Sequence, residues 1–292
     1  MKWTAGNRDN VDDLRAQSGG RGVRMGGIGG LGIGGLLLVL VLSWATGIDF
    51  LSLLGGGDGG IAPAPSASVG TSGELRTTPD EERLVDFVDA VMKDAQGSWE
   101  QKLGGRYQKT RAVVFRDAIQ SACGFAQSAT GPFYCPGDQL VYLDLGFFKE
   151  LRDRFGAPGD FAQAYVLAHE LGHHVQRLLG IESQVRRMQQ SRPDQENALS
   201  VRLELQADCF AGVWGHDAAQ PGRAARQQVE LESGDLEEGL NAAAAIGDDR
   251  IQRMAGARVA PDRFTHGSSA QRTQWFRRGF ESGDPKACET FQ

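Results

Sequence analysis

The sequence has no block of lysine or arginine, and its 31 basic residues are outnumbered by 37 acidic ones, for a formal net charge of −6. Neutralising phosphates needs a basic face, so the composition argues against a nucleic-acid partner. No internal repeat is visible. Cysteine and histidine are scarce, four and five in 292 residues. Charge is missing altogether from Met25 to Ile48, and large apolar side chains are nearly missing from 55 to 73.

Those gaps organise the chain. The uncharged stretch holds "LLLVLVLSW" and would make about 36 Å of helix at 1.5 Å per residue, enough to span a bilayer. Its glycines are common in membrane helices. Lys2, Arg8, Arg15, Arg21 and Arg24 precede it, and no basic residue follows before Arg76, which by the positive-inside rule puts the N-terminus in the cytoplasm. A cleaved signal peptide is the alternative, with "APAPSAS" offering small residues. The organisation expected is a cytoplasmic polar leader (1–24), a single transmembrane helix (25–48), a flexible Gly/Pro/Ser linker (49–77) and an extracytoplasmic domain (78–292) on the cell membrane. All four cysteines fall in the exported part, where an even count reads as two disulfides. Spacing favours Cys123 with Cys135, leaving Cys209 with Cys288, one of three possible pairings.

At Thr78 the texture changes. A capping Thr, Pro79 at the first helical position, Glu81 three residues after the cap, and Leu84, Phe87, Val88, Val91 and Met92 on one face start a helix. "AVVF" (112–115) and "QLVYLDL" (139–145) read as strands around a cysteine-bearing loop. Helices follow at about 147–155, 160–179, 195–218, 226–254 with breaks, and 268–281. The fold class is α+β, mostly helical with a small sheet.

"VLAHELGHHV" (166–175) carries the chemistry. Residues four apart on a helix differ by about 40° around the axis, so His169 and His173 point the same way and can grip one metal ion. Glu170 stands beside that ion, able to take a proton from water, so His-Glu-x-x-His is a zinc site with a general base built in. His174 points elsewhere, toward packing. Ala168 and Gly172 leave room for a second element. The bland reading is a buried histidine pair.

A zinc enzyme needs three protein ligands and an open position. A metzincin continuation would need Gly at 176 and His at 179, where the chain has Gln176 and Leu179. In "RLELQADCFAG" (202–212), Glu204 and Asp208 share a face among apolar neighbours, where unpaired carboxylates would be costly. Glu204 would complete a His₂Glu set and Asp208 would hydrogen-bond a ligand histidine. His216 is a rival third ligand.

"AHELGHHVQ", "ELQADCFAG" and "FTHGSSAQR" together resemble the neutral zinc metallopeptidase family of bacteria, single-pass membrane proteins, and the ligand arrangement is similar to that of gluzincin peptidases. The resemblance implies a zincin-like fold, zinc on His169, His173 and Glu204, and Glu170 as base. It also implies for His266 a role like a late gluzincin histidine, against which stands a capping role; Tyr134 or Tyr142 are further candidate donors. By the same analogy the strand "QLVYLDL" would pair an extended substrate backbone. The function expected is a membrane-anchored zinc endopeptidase acting on peptides or proteins. The rivals are an inactive zincin-fold protein that binds or scaffolds envelope components, and a metal-free helical scaffold.

Overall fold

The computed structural model describes residues 1–18 and 77–291. A short strand β1 (Val11–Asp13) and one helical turn α1 (Arg15–Ser18) come first. The long helix α2 (Pro79–Leu103) begins at the capping box read from the sequence: Thr78 Oγ1 accepts from the Glu81 N–H at 3.2 Å and the Glu81 carboxylate from the Thr78 N–H at 3.0 Å. Strands β2 (Ala112–Phe115), β3 (Ala118–Ser121), β4 (Gly124–Gln127), β5 (Phe133–Cys135) and β6 (Leu140–Asp144) follow. Then come helices α3 (Gly146–Asp153), α4 (Asp160–Leu178), α5 (Ile181–Ser191), α6 (Glu196–Ala218), α7 (Asp235–Ala245), α8 (Asp248–Met254) and α9 (Ser269–Ser282).

The main sheet runs β1-β2-β6-β5, parallel except for β5, which is antiparallel to β6; β3 and β4 form a separate hairpin. β6 is therefore interior, with both backbone edges used by β2 and β5. It cannot pair a substrate, and that expectation is corrected: the open edge beside α4 is β5. Trp99, Tyr165, Phe210, Trp214 and Phe276 are buried where α2, α4, α6 and α9 meet. Both expected disulfides are present, Cys123–Cys135 joining the hairpin to β5 and Cys209–Cys288 joining the C-terminal segment to α6.

The fold class needs one correction. The mostly helical α+β domain with a small sheet stands, but the transmembrane helix placed before it does not. Among the described residues no helix is long and apolar enough to cross a membrane, and the stretch 25–48 lies outside the described residues. Residues 1–18, expected as a leader across a bilayer, are part of the domain. β1 pairs with β2, Lys2 bridges to Glu230, and Arg8 reaches Glu82 at 2.7 Å and Asp86 at 2.6 Å on α2. The Met1 nitrogen lies 3.0 Å from Asp160 on α4 and 3.3 Å from Asp235 on α7. β1, which precedes the stretch 25–48, and β2, which follows it, are thus neighbours in one sheet. The linker expected at 49–77 lies almost wholly outside the described residues.

Candidate metal centre

Two helices build the centre. α4 carries His169, Glu170 and His173, and α6 crosses it closely because Gly172 has no side chain: a Cβ there would sit 3.0 Å from the Ala207 carbonyl oxygen. That approach brings Glu204 between the two imidazoles. His169 Nε2 lies 3.1 Å from Glu204 Oε2, and His173 Nε2 lies 3.5 Å from Glu204 Oε1. Donor atoms of all three residues fall within 4.8 Å of one another.

The fit to zinc can be judged from these distances. Bonds of about 2.0–2.2 Å set tetrahedral ligands about 3.3–3.6 Å apart. The 3.5 Å gap falls within that spacing and the 3.1 Å gap just below it, close enough for an ion to open. Each histidine is also oriented from behind, as metal ligands require. His169 Nδ1 is 2.8 Å from Asp208 Oδ1, and His173 Nδ1 is 2.9 Å from Gln176 Oε1, whose amide in turn donates to the Leu203 carbonyl at 2.7 Å. Both Nε2 atoms are thus left facing Glu204, a His₂Glu set of the kind that holds catalytic zinc.

Charges in this pocket are strongly coupled. Burial works against a charge on His169, but Asp208 and Glu204 outweigh it and push its pKa up to about 10. Burial likewise opposes ionisation of Glu204, and His173 and His169 overcome it, holding that carboxyl well below its ordinary range. Without a metal the three form a buried ion cluster. A divalent cation replaces the imidazole protons with its own charge.

Glu170 is buried, which raises its pKa. Its Oε2 accepts the outward N–H of Tyr134 on β5 at 2.8 Å. His174 faces away from the cluster and is buried, with Nε2 2.6 Å from the Gln108 carbonyl and Nδ1 3.0 Å from the Tyr134 hydroxyl. The Tyr134 hydroxyl is therefore turned to His174, and that of Tyr142 donates to Asp138 at 2.8 Å, so the structure brings neither to the metal ligands. His216 lies twelve residues beyond Glu204 on α6, bonded to the Phe280 carbonyl, and is not part of the cluster.

His266 sits in the loop before α9. Asp248 Oδ2 accepts the backbone N–H groups of Thr265, His266 and Gly267 at 2.7–3.0 Å, and its Oδ1 lies 3.3 Å from His266 Nδ1. Burial opposes charge on this imidazole, but Asp248 and Glu204 raise its pKa. Sequence reasoning missed Asp248, Gln176, Tyr165 and Arg272. Of these Gln176, three residues past His173, and Tyr165, four before His169, left a local signal on the same helix.

Comparison with known proteins places the chain in a family. The model of the family described as "Putative neutral zinc metallopeptidase" matches residues 1–291. The chain is 47% identical over 301 residues to the uncharacterized protein YpfJ of Escherichia coli (strain K12), covering 100% of this chain and 99% of that protein. It is 42% identical over 223 residues to the uncharacterized protein Rv2575 of Mycobacterium tuberculosis (strain ATCC 25618 / H37Rv), covering 75% and 74% of the two. No solved structure matches it. With a family match running through residues 1–18 as well as the helices of the metal centre, the chain belongs to the neutral zinc metallopeptidase family.

Proposed function

We propose that this protein is a zinc-dependent endopeptidase, with His169, His173 and Glu204 as ligands and Glu170 as general base. The observation that carries this reading is the convergence of two Nε2 atoms and one carboxylate, each histidine held from behind, with a further buried carboxylate alongside. When bound, zinc supplies Lewis acidity and lowers the pKa of water.

The chain's own residues do the rest. Glu170 has one oxygen fixed by the Tyr134 N–H and the other available to take a proton from water and hand it to the leaving nitrogen. His266, whose pKa Asp248 raises against burial, donates to the oxygen that gains charge as the substrate carbonyl is attacked. Asp208 and Gln176 keep the ligand imidazoles aimed. The substrate is a peptide or protein. The two disulfides support folding in an oxidising compartment outside the cytosol.

Glu170→Gln tests the reading. It should bind zinc as the unaltered protein does and lose about 10²–10⁴-fold in peptide hydrolysis. Zinc retained with hydrolysis unchanged would remove Glu170 from the chemistry. No hydrolysis by either form, with a cellular role intact, would favour the binding protein instead.

A further inference from the structure

The geometry points to Arg272, on the first turn of α9, as a positioning residue that acts on the metal centre through Asp208. The inference rests on the zinc reading above. Asp208 is fully buried in α6, and Arg272 is buried against it with a two-pronged fork, Nε to Oδ2 at 2.8 Å and Nη2 to Oδ1 at 2.9 Å. A forked pair fixes the plane of a carboxylate, which a single point donor does not. The Tyr165 hydroxyl, one turn before His169 on α4, donates to the same Oδ1.

That locked oxygen is the one His169 Nδ1 faces at 2.8 Å. Arg272 Nη2 also stands 3.4 Å from Nδ1, so on that side the imidazole meets a guanidinium, which only donates, and a carboxylate, which only accepts. The hydrogen on Nδ1 must point to Asp208, which leaves the lone pair of a neutral His169 on Nε2, toward Glu204. Arg272 thus selects both the ring orientation and the tautomer that a metal needs. Its remaining Nη1 donates to the Ile246 carbonyl at 3.2 Å, where α7 ends. The guanidinium therefore spans four helices.

The placement depends on two glycines. A Cβ on Gly279 would lie 1.9 Å from the Cys209 carbonyl oxygen, and one on Gly212 would lie 2.0 Å from that of Phe276. α9 and α6 touch backbone to backbone, and that contact sets Arg272 beside Asp208.

The test measures zinc affinity of the full chain by chelator competition, together with the visible absorption of the cobalt-substituted protein. The variants are Arg272→Met, Arg272→Lys, Asp208→Asn and the Arg272→Met/Asp208→Asn double. Removing such an outer partner typically costs 10–100-fold in metal affinity. Arg272→Met should show a loss of about that size and a changed cobalt spectrum, with Arg272→Lys intermediate, since it keeps the charge and loses the fork. The double variant should bind no more weakly than the weaker single, because both act on one contact. Unchanged affinity and spectrum in the Arg272 variants, or losses that multiply in the double, would overturn the proposal. If Arg272→Met is not recovered folded, Arg272→Lys decides alone. Failure of the unaltered protein to bind zinc would instead overturn the metal reading, which separates the two.

Discussion

Asp248 gives one oxygen to three consecutive backbone amides and turns the other to His266, so a loop residue is held as firmly as one on a helix. The folded pKa of His266 is raised above its ordinary 6.5. The stability this pair contributes is full below about pH 6.5 and is lost as pH rises through the folded value. Donation to the substrate oxygen is lost over the same range. The alkaline limb of hydrolysis should therefore follow His266, and His266→Ala should lose about 10²-fold in kcat and abolish that limb. A pH–rate profile checks it, and an unaltered limb in the variant would assign it to another group. At this scale much was legible: His169, Glu170 and His173 from helical spacing, Glu204 and Asp208 from two carboxylates four apart in an apolar helix. Arg272 was not, because its partner Asp208 is 64 residues away and nothing local distinguishes it from a solvated arginine.

Helices α6 and α9 meet without side chains between them, and that contact is the least forgiving in the fold. Gly279→Ala would push a methyl into the Cys209 carbonyl and the Val213 amide. Overpacking of this kind costs about 1–3 kcal/mol or more, and here it also moves Arg272 from Asp208. Both the thermal midpoint and the zinc affinity should fall. A lowered midpoint with unaltered affinity would show that the crossing supports the fold but not the centre. The Thr78 cap with apolar periodicity made α2 readable, and apolar runs made α4 and α6 so; α9 is bounded in the structure by a Ser268–Gln271 capping box and by Gly283 in the left-handed region. The hairpin β3–β4 and the strand β5 were read as loop because three or four residues are too short to establish alternation. Helix α5 was passed over: its apolar stripe is only Ile181, Val185 and Met188, and of its eleven residues only Val185 is buried.

The molecule as a whole is closed by its first residues. Arg8 and Arg15 read as leader charges because their carboxylates on α2, Glu82 and Asp86, are 67 to 78 residues away, beyond any local pattern. Within the domain β1 occupies the β2 edge of the sheet. A fragment beginning at Thr78 should therefore melt lower than the full chain and self-associate through bare β2. A peptide of residues 1–18 added in trans should raise the midpoint again, and equal midpoints for fragment and full chain would refute this.

The opposite edge needs no such cover. Pro132 and Pro136 flank β5 and have no N–H, and the N–H of Tyr134 between them is held by Glu170. A strand added there would meet carbonyl acceptors but no free N–H donor in that row. The carboxylate assigned to chemistry thus also takes the one N–H that the end of the sheet would otherwise offer to another strand.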